Sequence, residues 1–167
     1  MISAEFEGDL VRVNMSDPFD LHMHQELQIN GGPMIVHSVN TGVPHAIVVV
    51  EDLESVPIRE WGAALRYHEA FAPKGTNANF VQVQEAGKIA IRTYERGVED
   101  ETLACGTGMV ACAIAHHELI GAPSPVEVRV RGGETLLIGF EHTSAHHYTR
   151  VTLFGPADFV FQGQTEL

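Results

Sequence analysis

The chain has 167 residues, which is enough for one domain and short for two. Apolar residues make up 44% of the sequence and charged residues 19%, a globular composition that excludes disorder for most of the chain. The 22 acidic residues outnumber the 10 basic ones and give a formal charge of −12. This charge argues against nucleic acid or an anionic membrane surface as a partner.

Five strands are predicted in the first 50 residues. Two apolar segments on either side of Glu7-Gly8-Asp9 indicate a hairpin, and alternating apolar residues indicate a third strand. Two more strands flank the turn from Thr41 to Pro44. The predicted strands are Ile2–Phe6, Leu10–Met15, Leu21–Ile29, Met34–Asn40 and His45–Val50.

A first helix is predicted after these strands. Ser55 can cap its N-terminus, and Pro57 suits its first turn because the fixed backbone angle of proline matches a helix start. Trp61, Leu65 and His68 follow at helical spacing, which predicts a helix with one apolar face.

The second half of the chain predicts strands on either side of one more helix. This helix runs from Gly106 to Ile120 and ends at Gly121. Its segment Met109–Ala115 is apolar on every face, so we expect it to be buried on all sides. The predicted strands are Phe80–Gln84, Ile89–Tyr94, Val126–Val130, Leu136–Phe140, Val151–Phe154 and Phe159–Phe161.

These elements predict an α+β fold in which a curled, mixed or antiparallel sheet wraps around a central buried helix. A βαβ array is excluded because strands do not alternate with helices. No repeat or low-complexity segment stands out, so residues 1–167 are expected to form a single domain.

Membrane insertion and secretion are not indicated. The longest apolar run, Met109–Ala115, is seven residues long, whereas a membrane span needs about 20. No basic segment followed by an apolar one suggests a signal peptide. Cys105 and Cys112 would lie about 10 Å apart on one helix, too far for a disulfide. Two free thiols favour a reducing compartment, and we expect a cytoplasmic protein.

The segment Cys105-Gly106-Thr107-Gly108 opens the buried helix. The first amide groups of a helix are unpaired and carry partial positive charge, so they form a site for a carboxylate or phosphate. The same helix end favours a thiolate at Cys105, so we expect a thiol that is partly ionised near neutral pH. An anion site and a proton-accepting thiol are therefore predicted side by side.

Metal and cofactor chemistry are not predicted. Of the ten histidines, His22 and His24 share a strand face, but no accompanying carboxylate has the spacing of a metal site. Pyridoxal phosphate needs a Schiff-base lysine, and the only lysines, Lys74 and Lys88, lie beside turn glycines without a phosphate loop.

Five motifs occur in an order that resembles the C-terminal half of diaminopimelate epimerase, and the resemblance extends from about residue 2 to Gln162. The motifs are Thr41-Gly42-Val43-Pro44-His45, His68-Glu69-Ala70-Phe71, Thr76-Asn77-Ala78-Asn79-Phe80, Tyr94-Glu95-Arg96-Gly97 and Glu101–Gly108. Members of this family invert an amino-acid stereocentre without a cofactor, with two cysteines on opposite faces of the α-carbon. The resemblance implies interconversion of LL- and meso-diaminopimelate, in lysine and cell-wall synthesis.

The resemblance also implies roles for residues of this chain. Cys105 matches one of the two catalytic cysteines, and Glu95 and His45 match groups that tune the thiols. We expect Glu95 to act on Cys105 and His45 to act on the other thiol.

The expected substrate-binding residues divide into two pairs. Gly106 and Thr107 match backbone donors to the reacting carboxylate. Asn77 and Arg96 match residues that hold the distal amino-acid end of a diamino dicarboxylic acid.

Three departures from the family pattern are evident. Val43 stands where many members have asparagine, and the spacing from Arg96 to Cys105 is one residue longer, with Glu99-Asp100 predicted to bulge. The resemblance covers the C-terminal half alone, so the N-terminal half, with its own cysteine, is expected to be missing. Cys112 cannot replace that cysteine because it lies two helical turns deeper in the apolar segment. The chain alone is therefore expected to be inactive and to need its N-terminal half as a partner, and a homodimer is left open.

Two alternatives remain. One is another isomerase of the same superfamily, proline racemase-like or phenazine-biosynthesis-like. Asn77 and Arg96 argue against it, because a monocarboxylic substrate has no distal amino acid to hold. The other is a non-catalytic domain that binds carboxylates or takes part in assembly.

Overall fold

The fold is a mixed β-sheet with two helices, as seen in a computed structural model that describes residues 3–158 and 161–165. Within these residues there are eleven strands. They are β1 (Ala4–Glu7), β2 (Leu10–Asn14), β3 (Phe19–Ile29), β4 (Gly32–Asn40), β5 (Pro44–Val49), β6 (Asn77–Glu85), β7 (Lys88–Glu95), β8 (Asp100–Thr102), β9 (Val126–Arg129), β10 (Thr135–Ser144) and β11 (His147–Pro156). The helices are α1 (Ile58–Arg66) and α2 (Gly106–Ile120), with a 3₁₀ turn at Glu69–Phe71.

The strands lie in the order β1-β2-β11-β10-β9-β7-β6-β5-β4-β3, and β8 pairs with β7. Two neighbouring pairs, β5–β6 and β7–β9, are parallel, and the others are antiparallel. A parallel pair needs a long crossover connection. Here the first crossover carries α1 and the second carries β8 and α2, so the segment that precedes α2 begins beside the end of β7.

The two helices cover opposite faces of the sheet. Ile47 and Val81 belong to the core around α2, whereas Val48 and Phe80, one position away on the same strands, belong to the core around α1. Successive residues of a strand point to opposite faces, so each central strand contributes to both cores.

Helix α2 has the bounds that the sequence predicts. It is buried from Gly108 to His116 and contacts seven strands, β4 to β7 and β9 to β11. Gly121 ends it in the left-handed conformation, with φ of 66°, which a residue without a side chain adopts at little cost.

Helix α1 begins later than predicted. Pro57 is its N-cap residue, and no side chain caps the helix. The predicted cap, Ser55, instead donates its hydroxyl to the carbonyl of Asp52. His68 lies beyond the helix, where its Nδ1 accepts a hydrogen bond from the Ala70 amide and caps the 3₁₀ turn.

The short strand β8 is not predicted from the sequence, which indicates only a bulge at Glu99-Asp100. Glu99 does have a positive φ of 59°, and its carboxylate pairs with Arg66 at 3.0 Å. In β8, Glu101 receives two hydrogen bonds from Arg92, at 2.6 and 2.9 Å. This largely buried pair holds the start of the segment that leads to Cys105.

The predicted fold class is confirmed at the level of an α+β mixed sheet with two helices, and the sheet is open, with β1 and β3 at its edges. The predicted strand Phe159–Phe161 includes residues 159 and 160, which lie outside the described residues, as does Ile2. In the described part of the chain, neither helix combines the length and apolar character needed to cross a membrane.

Candidate active site

Cys105 occupies the N-cap of α2, as the sequence predicts. Its backbone is extended, with φ of −136° and ψ of 107°, so the helix begins at the next residue. Gly106 and Thr107 are the first two residues of α2, where amide groups have no partner within the helix. The Thr41 hydroxyl donates to the Thr107 carbonyl at 3.0 Å and fixes the β4–β5 turn against this helix end.

The thiol of Cys105 is largely enclosed, with the residue 8% exposed and Sγ 3.6 Å from the Thr107 hydroxyl. Burial raises the pKa of this thiol, and the negative charge of Glu95 acts in the same direction. The Thr107 hydroxyl and the backbone amides of Thr107 and Gly108 lower the pKa, but by less than burial raises it. The expectation of a partly ionised thiol near neutral pH is therefore wrong, because desolvation outweighs the favourable field of the helix end.

We expect the alkylation of Cys105 to show this directly. A raised pKa means less thiolate at any given pH, so the rate of reaction with iodoacetamide should still rise about tenfold per pH unit above about pH 8. The measurement is the rate against pH, by mass spectrometry, on folded Cys112→Ala protein and on the same protein in denaturant. A folded-state midpoint below the denatured-state midpoint would contradict the assignment.

Asn77, His45 and Arg96 lie together at one end of the sheet. His45 and Asn77 are opposite each other on the parallel strands β5 and β6. Asn77 Oδ1 accepts a hydrogen bond from the Arg96 amide at 2.7 Å. The Arg96 side chain donates to the Lys74 carbonyl and, among the described residues, forms no ion pair with a carboxylate. The positive charge of Arg96 also acts on the His45 ring.

His45 is fully buried, and its ring is held by Asn79. Burial lowers the pKa of His45 to about 3, so the ring is neutral at physiological pH. Asn79 Nδ2 lies 3.1 Å from His45 Nδ1, and Asn79 Oδ1 accepts a hydrogen bond from the Thr93 hydroxyl at 3.0 Å. Sequence reasoning includes Asn79 in a motif but assigns it no role. The sequence does hold one indication of its role: Asn77 and Asn79 are two positions apart on a strand and so point to the same face, and that strand is buried here.

Asn79 connects these strands to the helix that carries Cys105. A Cβ atom added to Gly108 would lie 2.6 Å from Asn79 Oδ1 and 3.3 Å from Cys105 Sγ. Asn79 therefore links His45 to the start of α2, and Glu95 is close enough to Cys105 to act on its thiol.

A cleft in this region lies beside His45. A cleft of about 390 Å³ borders His45 and is also lined by Asp20, His22 and Lys74. Cys105 borders a small crevice with Thr93 and Thr102 that has no room for a ligand. Asn77, Glu95, Arg96 and Cys105 are not among the residues that line the cleft beside His45.

Cys112 has the structural role that the sequence predicts. It is fully buried in the core around α2, and this burial raises its pKa well above the ordinary value of a thiol. Among the described residues, no three His, Cys, Asp or Glu side chains are grouped so that they could hold a metal ion.

Solved structures of other proteins share this fold. A probable proline racemase from Agrobacterium radiobacter K84 superimposes with a TM-score of 0.70 at 19% identity, over 95% of this chain and 54% of its own. A phenazine biosynthesis protein of the PhzF family from Bacillus anthracis gives a TM-score of 0.64 at 8% identity, over 93% of this chain and 61% of its own. At these identities the likeness is one of fold.

Sequence comparison is more specific. The diaminopimelate epimerase family matches residues 37–160, and the chain belongs to that family. Diaminopimelate epimerases of Aquifex aeolicus and Chlorobaculum tepidum are 44% and 40% identical to it, each over 98% of this chain. These matches span 58% and 62% of the relatives, so the chain covers about three fifths of their length.

Proposed function

We propose that this chain is the Cys105-bearing half of a cofactor-independent epimerase that interconverts LL- and meso-diaminopimelate. The observation that carries the proposal is the position of Cys105. A single thiol lies at the N-terminus of a buried helix, next to backbone donors and within reach of the negative charge of Glu95. Asn77 binds the backbone of Arg96, the residue that follows Glu95. The family membership of the chain supports the same conclusion.

The protonated state of the Cys105 thiol suits a role as the general acid in a two-thiol reaction. In the proposed step, a base on the opposite face removes the α-proton, and Cys105 transfers its S–H proton to the carbanion and becomes a thiolate. Its raised pKa keeps the proton on sulfur until that moment. In the reverse direction the Cys105 thiolate removes the proton. Positioned amides of Gly106 and Thr107 would stabilise negative charge on the substrate carboxylate as the carbanion forms.

Asn77 and Arg96 are proposed to hold the distal end of the substrate. The hydrogen bond between Asn77 and the Arg96 backbone fixes the two residues relative to each other. The Arg96 guanidinium, which has no carboxylate partner among the described residues, is available for a substrate carboxylate. A proline-like substrate would leave this pair without a ligand.

The second thiol is proposed to come from an N-terminal half, with which residues 1–167 would form the complete enzyme as one C-terminal domain. The chain spans 58% and 62% of the length of two curated diaminopimelate epimerases, and this supports the proposal. We further propose that the sheet curls around α2, which contacts seven strands, and that the protein works in the cytoplasm, as its free thiols favour.

The test joins this chain to the N-terminal half of the Aquifex aeolicus relative and follows both diaminopimelate isomers in deuterated water. We expect the joined protein to exchange the α-proton and invert the stereocentre, and the chain alone to do neither. Inversion by the chain alone at a comparable rate would contradict the two-thiol reaction.

The same assay separates the alternatives. Proline and hydroxyproline serve as competing substrates for the joined protein. Turnover of these, with none of diaminopimelate, would favour the proline racemase-like alternative. Binding of diaminopimelate without any proton exchange would favour a carboxylate-binding domain.

A further inference from the structure

The side chain of Asn79 is fully buried and uses both ends of its carboxamide. Its Nδ2 donates to the carbonyl of Ala46 at 2.9 Å and lies 3.1 Å from His45 Nδ1. Its Oδ1 accepts from the Thr93 hydroxyl at 3.0 Å. Asn79 therefore joins β5, β6 and β7 at the point where they face the start of α2.

The Ala46 carbonyl determines the orientation of the Asn79 carboxamide. A carbonyl oxygen can only accept a hydrogen bond, so the Asn79 atom at 2.9 Å from it is the NH₂ group. The second hydrogen of that group points to His45 Nδ1. Nδ1 must then accept, which means that it carries no proton. In the neutral ring the proton is therefore on Nε2.

The Nε2 atom of His45 is buried, and within residues 3–158 and 161–165 it has no hydrogen-bond partner. A buried donor without a partner is costly, by about the desolvation penalty of the group. Such an atom is expected where a ligand or another segment completes the bond. His45 also borders the cleft of about 390 Å³, the nearest open space through which a group outside the described residues could reach the ring.

We propose that Asn79 is a positioning residue that fixes the Nε2–H tautomer of His45, so that His45 donates a hydrogen bond to an anionic group in the site. In this tautomer His45 cannot accept a proton at Nε2, so it acts as a donor and not as a base. The identity of the anion rests on the proposed function, under which it is a substrate carboxylate or the second thiolate. The tautomer does not depend on that function.

The tautomer is measured on this 167-residue chain by NMR with ¹⁵N-labelled histidine. We expect wild-type His45 to show a protonated Nε2 and an unprotonated Nδ1 from about pH 8 to about pH 5. In Asn79→Ala, Nδ1 loses its donor, so the Nδ1–H tautomer should become populated to a comparable extent. The matched control is Gln82→Ala on the same strand, which removes a carboxamide bonded to the Glu51 carbonyl and should leave the His45 signals unchanged.

An Nδ1–H tautomer in the wild type, or unchanged tautomer populations in Asn79→Ala, would overturn the proposal. If Asn79→Ala does not fold, Thr93→Val replaces it, since it removes only the bond to Asn79 Oδ1 and should weaken the tautomer preference. The spectrum of the wild-type protein alone shows which ring nitrogen of His45 carries the proton.

Kinetics of the joined protein then identify the anion. Asn79→Ala should lower kcat/KM by about 10- to 100-fold, as is typical when a group that orients a functional side chain is lost. If Asn79→Ala raises KM and leaves kcat unchanged, the anion is a substrate carboxylate. If Asn79→Ala shifts the acidic limb of the kcat/KM profile against pH, the anion is the second thiolate. Equal kcat/KM values for Asn79→Ala and wild type would overturn the positioning role.

The tautomer and the proposed function can fail separately. If the joined protein has no activity but its His45 still shows the Nε2–H tautomer, the proposed function is contradicted and the tautomer assignment stands.

Discussion

Replacing Cys105 with alanine should lower the rate of α-proton exchange by about 10²- to 10⁴-fold in the protein that contains both halves, because it removes a group that donates and accepts the transferred proton. The fold should survive the change. Cys105 is the N-cap of α2 but makes no side-chain capping hydrogen bond, so alanine removes only a small, mostly enclosed thiol. The measurement is loss of the α-proton signal in deuterated water.

Cys112→Ala is the matched control for this prediction. Cys105 caps the helix that contains Cys112, seven positions further on, and both cysteines are buried. Cys112 is fully enclosed in the core, so its loss should cost about 1 kcal/mol of stability and leave the proton exchange near the wild-type rate. Equal loss of exchange in both variants would point to general damage of α2 and would contradict the role given to Cys105.

The bounds of α2 follow from its sequence because each end has a strong local signal. Gly106 and Gly121 mark the ends, and their spacing of fifteen residues is too long for a typical strand and favours a helix, which the apolar segment between them marks as buried. The start of α1 is less well determined. Ser55 and Pro57 are both acceptable at a helix start, and the choice depends on the Asp52 carbonyl, which engages the Ser55 hydroxyl.

Strand β8 could not be predicted because its residues Asp-Glu-Thr have no apolar alternation. Its place in the sheet depends on contacts that are distant in sequence. Glu101 binds Arg92, and Asp100 binds Arg59, which is 41 residues away. Such long-range ion pairs leave no periodic pattern in the sequence.

The candidate site, too, is predicted from the sequence only in part. Motifs predict Cys105, His45, Asn77 and Arg96 as site residues, and the structure places His45 opposite Asn77 and bonds Asn77 to the Arg96 backbone. The direction of the Cys105 pKa was predicted wrongly because a sequence shows the helix end that stabilises a thiolate but not the burial that opposes it. The role of Asn79 was also missed, since an asparagine at a strand position is usually on the surface.

Gly108→Ala tests how tightly the thiol, Asn79 and helix α2 are packed. The added Cβ would lie 2.6 Å from Asn79 Oδ1, closer than real Cβ atoms come to neighbouring atoms. Asn79 cannot move aside cheaply, because its carboxamide is bonded to Ala46, His45 and Thr93. Overpacking of this kind costs about 1–3 kcal/mol, and the higher helix propensity of alanine returns at most about 1 kcal/mol.

We therefore expect Gly108→Ala to lower the free energy of unfolding by about 1–2 kcal/mol in urea denaturation. Its effect on exchange in the joined protein should be larger, about 10²-fold, because displacement of a catalytic group by about 1 Å can cost that much. Gly106→Ala is the control for stability, since its Cβ would meet only the Leu153 side chain, at 3.3 Å. A Gly108→Ala protein as stable and active as the wild type would show that Asn79 and Cys105 have room to adjust, and that the close packing around the thiol is not required for the reaction.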